Sequence, residues 1–109
     1  NNIPSWLGLA QTSQAITADA SSQVANVTTA VTEINATAAT GSISLADGSD
    51  GQLKIFINTS TSGTNNVVIT PTNLRGGTTI TLNAQGETAV CIFKNSNWNV
   101  IGGHGFVVA

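Results

Sequence analysis

Between residues 78 and 101 the chain reads TTITLNAQGETAVCIFKNSNWNVI, and apolar side chains recur there two positions apart. The pairs are Ile80 and Leu82, Val90 and Ile92, and Trp98 and Val100. A period of two is that of a pleated strand, whose alternate side chains share one face. The β-branched content of the runs favours the same backbone, and Asn83-Ala84-Gln85-Gly86 and Asn95-Ser96-Asn97 supply turn residues between them. The pattern predicts a meander of three antiparallel strands, residues 78–82, 87–93 and 98–101, with those six side chains in one core.

The same alternation extends toward the N-terminus. Leu53, Ile55 and Ile57 interleave with Lys54, Phe56 and Asn58, so both faces of that strand carry bulk. Such a strand is either central to a sandwich or partly covered by another chain. Asp47-Gly48-Ser49-Asp50-Gly51 before it is the strongest turn signal. Val67 and Ile69 mark a further strand that Pro71 ends. After Ile101, Gly102-Gly103-His104-Gly105 turns the chain into a short final strand over residues 106–108. Residues 24–37 are ambiguous in period, because Val24, Val27, Val31 and Ile34 follow helical spacing. Their Thr and Val content decides for strand, breaking near residues 36–41 and resuming at 42–45. Strands every 8–12 residues with turn chemistry between them predict an all-β fold, a small antiparallel β-sandwich or barrel-like domain over residues 24–109. No repeat of fixed period appears, so a solenoid is not expected. Residues 1–23 read as an extended N-terminal arm. Its tip gathers Ile3, Trp6, Leu7 and Leu9, which either bury in a neighbouring subunit or fold back on their own domain.

Composition narrows the function classes. Only 7% of the 109 residues are charged, against about 25% in ordinary soluble domains, and hydroxyls and amides fill the gap. Lys54, Arg75 and Lys94 are the only basic residues and the net charge is −2, which leaves no footprint for nucleic acid or an anionic membrane. No apolar run approaches the roughly 18 residues of a membrane-spanning helix. Residues 1–20 lack the basic start and continuous apolar stretch of a secretory signal. The chain starts without Met, which fits a processed or partial product.

Candidate chemistry is sparse. Cys91, the single cysteine, reads as a small buried hydrophobe. Among the five acids, Asp19, Glu33, Asp47, Asp50 and Glu87, a glycosidase would need two carboxylates across one bond, and nothing in the sequence brings Glu33 and Glu87 together as that pair. Asp47 and Asp50 offer calcium some oxygens but lack the distant bidentate Glu of an EF-hand, and a hairpin turn explains them fully. His104 alone is too few ligands for zinc unless symmetry brings copies together. Asn26, Asn35 and Asn58 open matches to the glycosylation pattern that a chain rich in Asn and Thr produces by composition. No nucleophile–base pair is apparent. The expectation is a non-enzymatic chain without cofactor or metal.

The stretches GSISLADGSDGQLKIFIN and NNVVITPTNLRGGTTITLNAQGETAVCIFKNSNWNVIGG resemble β-rich virion structural domains of tailed bacteriophages and other large DNA viruses. The resemblance rests on Leu45-Ala46-Asp47-Gly48, Gly51-Gln52-Leu53-Lys54-Ile55, Thr70-Pro71-Thr72-Asn73-Leu74, Gly86-Glu87 and Asn97-Trp98-Asn99-Val100-Ile101, and covers about residues 40–103. It implies a building part of a particle: a capsid decoration (cement) protein, or a fibre or baseplate module. The expected partners are the major capsid protein or other virion subunits and further copies of the chain, as a homotrimer on the particle surface. A carbohydrate-binding module is the competing expectation, with Trp98 between Asn97 and Asn99 as its stacking platform.

Overall fold

The structure, a computed structural model, describes residues 12–19, 21–61 and 65–109. Ten strands form in these segments. The first six are β1 (Ser13–Ala18), β2 (Gln23–Ala25), β3 (Val31–Ala36), β4 (Thr40–Leu45), β5 (Leu53–Asn58) and β6 (Asn66–Pro71). They are followed by β7 (Ile80–Leu82), β8 (Thr88–Lys94), β9 (Asn97–His104) and β10 (Val107–Val108). A front sheet has the order β1-β3-β5-β8-β9 and a back sheet the order β10-β7-β6-β4-β2. The fold is all-β, and β5, with bulk on both faces, is the middle strand of the front sheet.

The first six strands alternate between the sheets, so each crossover from one front strand to the next is a back strand. β1, β3 and β5 therefore run parallel, as do β2, β4 and β6. Parallel pairing needs a crossover, and here the opposite layer provides it. The result is three rungs of a flattened coil, where the sequence pattern predicts antiparallel pairing and no solenoid. The rungs are unequal in length: Ser13 lies beside Val31, and Val31 beside Ile55. That inequality hides the winding from any search for a fixed period. The expected strand over residues 24–37 is also two strands, β2 and β3, divided by a turn in which Asn26 Oδ1 accepts from the Thr28 and Thr29 amides at 3.3 and 3.1 Å.

The predicted meander divides as well. β7 pairs with β6 in the back sheet, while β8 and β9 form an antiparallel hairpin in the front sheet. Residues 83–87 carry the chain from one layer to the other. Asn95 and Ser96, with φ of 54° and 66°, make the two-residue hairpin turn, whose left-handed backbone matches the strand twist.

Ile80, Leu82 and Trp98 lie in the core as expected, and Val100 packs against it. Val90 and Ile92 do not. The inward residues of β8 are Ala89, Cys91 and Phe93, because register sets Ala89 beside Phe56 and Cys91 beside Lys54, both inward on β5. Trp98 is 0% exposed. Its Nε1 donates to the Ala46 carbonyl at 2.9 Å, and its ring meets Phe93 edge to face at 5.2 Å. The layers approach closely at Gly41, where an added Cβ would fall 2.8 Å from the Ala18 Cβ.

Candidate interaction surface

β5 presents Lys54, Phe56 and Asn58 to the interior. Its other face therefore turns Leu53, Ile55 and Ile57 outward. Register places Val31, Ile55 and Val90 in one row across three strands, with Leu53 beside Ile92 in the next. Leu53 is 42% exposed, and Val31, Ile55, Ile57, Val90 and Ile92 are half-buried. Six large aliphatic side chains thus form a continuous patch outside a core that is already filled from the inside. Isolated surface aliphatics need no explanation, whereas a contiguous patch is a candidate contact surface.

Charge is distributed unevenly around this patch. Glu33 projects from β3 in the row of Ile57 and Thr88. Asp19 follows the last residue of β1, and Glu87 precedes β8, at the same end of the sheet. Lys94 lies at the opposite end, 3.6 Å from Asp50. Arg75 is close by, donating from Nε to Asn99 Oδ1 at 2.8 Å and from Nη2 to the Asn95 carbonyl at 3.4 Å.

Buried polar groups close the interior at both ends. Lys54, 0% exposed, donates from Nζ to the Thr29 carbonyl (2.9 Å), Asn26 Oδ1 (3.3 Å) and Thr29 Oγ1 (3.4 Å). None of these acceptors is charged, and burial pushes its pKa down to about 8. At the other end Asn58 Nδ2 donates to the Leu82 carbonyl at 3.0 Å, joining the two sheets, while Asn58 Oδ1 accepts from the Ser60 amide and hydroxyl. Ser60 Oγ in turn accepts from the Ala36 amide at 2.9 Å.

Ile3, Trp6, Leu7 and Leu9 lie outside the described residues. The enclosure of Trp98 overturns its expected use as a sugar platform, since stacking needs an exposed ring face. Cys91 is buried, and desolvation pushes its thiol up to about 12, far from the thiolate a nucleophile needs. Asp47 and Asp50 turn to different partners. Asp47 accepts from Asn73 Nδ2 through both oxygens (2.9 and 3.1 Å), and Asp50 accepts from the Asn95 amide at 3.3 Å. Glu33 and Glu87 are held apart by β5, with Glu87 Oε1 accepting from the Asn83 amide at 2.6 Å. His104 is exposed at the end of β9. Asn58 is enclosed, so its glycosylation pattern is inaccessible in the folded domain. Among the described residues no group of three or more His, Cys, Asp or Glu gathers at metal-binding distance.

The outward patch is what sequence reasoning missed, because it assigned Val90 and Ile92 to the core. The available signal was β5 itself. Bulk on both faces there signals that one of its two bulky rows lies outside the core of the sandwich. Comparison with protein-family models and with curated proteins finds no match to this chain.

Proposed function

We propose that this chain is a structural component of a virion, a capsid decoration protein that binds the shell and stabilises it. The observation that carries this reading is the second apolar face of the front sheet, Val31, Leu53, Ile55, Ile57, Val90 and Ile92, outside a core that is already complete. A domain with that face works against other protein surfaces, which exclude water from it. The scarcity of charge and the hydroxyl-rich surface suit close packing among subunits.

In this reading residues 1–9 anchor the domain to the major capsid protein. Ile3, Trp6, Leu7 and Leu9 contribute about 1.5–3 kcal/mol each when buried. Holding residues 1–12 in place costs about 1–2 kcal/mol per residue, while residues 13–18 are already fixed in β1. A single arm therefore binds weakly, and several arms on one assembly bind together through effective concentration.

The test is particle occupancy after deletion of residues 1–9, with circular dichroism confirming that the domain still folds. Occupancy is expected to fall to background. Full occupancy by the folded deletion variant refutes the anchor. Labelling confined to tails instead of heads refutes the decoration assignment in favour of a fibre or baseplate module.

A further inference from the structure

We propose that Lys54 and Asn26 join in an isopeptide bond inside the sandwich, an intrachain cross-link that ties the turn between β2 and β3 to β5. The two side chains already meet. Lys54 Nζ stands 3.3 Å from Asn26 Oδ1, on a side chain that the domain encloses completely. Asn26 is held in place from its own backbone. Its amide donates to Gln14 Oε1 at 2.9 Å, and Gln14 is fixed in turn by the Thr32 hydroxyl at 3.1 Å and the Val24 carbonyl at 3.3 Å.

The carboxamide is polarised for attack. Its Oδ1 accepts from the Thr28 amide at 3.3 Å, the Thr29 amide at 3.1 Å and the Thr29 hydroxyl at 2.7 Å. Donors fixed on a carbonyl oxygen draw charge from its carbon, and they stabilise the negative charge that a nucleophile drives onto that oxygen. The amine is prepared by desolvation, which pushes its pKa down to about 8 and frees its lone pair near neutral pH. The groups set against Lys54 are neutral: Asn26 and Thr29 in the turn, Phe56 on its own strand, and Cys91 on β8, whose thiol burial keeps protonated. Asp50, the nearest acid in sequence, turns to Lys94 at the surface. No carboxylate among these contacts holds the amine as an ammonium ion.

Closure balances without an outside reagent. Neutral Lys54 Nζ adds to Asn26 Cγ, and the carbonyl electron pair moves onto Oδ1. The carbonyl then re-forms as the bond from Cγ to Nδ2 breaks. The proton given up by Nζ passes to the departing nitrogen, which leaves as ammonia. Thr29 Oγ1, 3.4 Å from Nζ, is placed to relay that proton, and Asn26 is only half-buried, so the ammonia escapes to water. The product closes the chain from residue 26 to residue 54 into a loop containing β3 and β4. Such a link stabilises by restricting the unfolded chain, as a disulfide does. The open chain keeps a titrating amine at Lys54, and the closed chain has none.

Intact mass spectrometry of the full chain, held folded at pH 9, tests the cross-link. The expected result is the loss of one ammonia, growing with time, and a protease digest in which the peptide carrying Asn26 is joined to the one carrying Lys54. The rate should rise about tenfold per pH unit below about 8 and level above it. Asn26→Ser keeps a side-chain oxygen for the turn without a carboxamide, and Lys54→Met has no amine, so both should keep their full mass. The joined peptides are read in the unaltered chain, whatever either substitution does to folding. A chain that retains its full mass, a loss that survives in either variant, a rate indifferent to pH, or a digest that places the loss within one peptide as a succinimide would each overturn the proposal.

Discussion

Lys54 enters the interior with only neutral acceptors around its ammonium group, and Cys91 lies beside it in register. Their titrations oppose one another. The folded pKa of Lys54 is lowered from 10.5 to about 8, so between those values the unfolded chain binds more protons and stability rises with pH. That of Cys91 is raised from 9.0 to about 12, so the unfolded chain loses its proton first and stability falls as pH climbs from 9 toward 12. Each slope approaches roughly 1.4 kcal/mol per pH unit. Denaturant titrations should show stability rising from pH 8 to 9, levelling to about 10.5 and falling above it. Lys54→Met should remove the rise, and Cys91→Ala the fall. Trp98 and Ser96 give two further expectations at this scale. Trp98→Ala should cost about 3–5 kcal/mol, and an unchanged thermal midpoint would contradict its place in the core. Ser96 holds a left-handed φ of 66°, so Ser96→Gly should stabilise the hairpin by up to about 1 kcal/mol, read as a raised midpoint.

At the scale of strands, β8 separates what sequence carries from what it does not. Its position, its length and the turn after it are legible in the alternation and in Asn95-Ser96. Its orientation is not, because hydrophobicity ranks Val90 and Ile92 above Ala89 and Cys91. Small residues can face inward here because Phe56, Phe93 and Trp98 fill the same layer. Core volume is a property of the whole layer, and a single strand's pattern cannot express it. The candidate surface was hidden for the same reason, since a patch that joins Val31, Leu53, Ile55 and Ile92 exists only once register is set. Paired substitutions on β8 test the assignment. Phe93→Ala should cost about 3–5 kcal/mol, whereas Ile92→Thr, facing outward, should change the stability of the monomer by less than about 1 kcal/mol. Equal costs in urea melts of monomeric protein would reverse the two faces.

The molecule as a whole is a coil for three rungs and a hairpin sandwich thereafter. Parallel neighbours such as β3 and β5 are brought together only after the intervening back strand has crossed over. Such non-local pairing is slow to form. Stopped-flow refolding should proceed in milliseconds to seconds, and a microsecond relaxation would contradict the winding.

The same winding places the two ends of the described chain at opposite margins of the sandwich. β1 borders the front sheet over the β2 margin of the back sheet, and β10 borders the back sheet at the other margin, beyond β7, which packs against β8. Tension applied between those ends runs transverse to the strands, across every ladder in succession. Hydrogen bonds loaded in that direction open one at a time, as in peeling, instead of sharing the force along a strand. Under such tension the edge strands yield first, β10 on two paired residues before β1 on six. The layer around Phe56 and Trp98 opens only after the edge strands have come away.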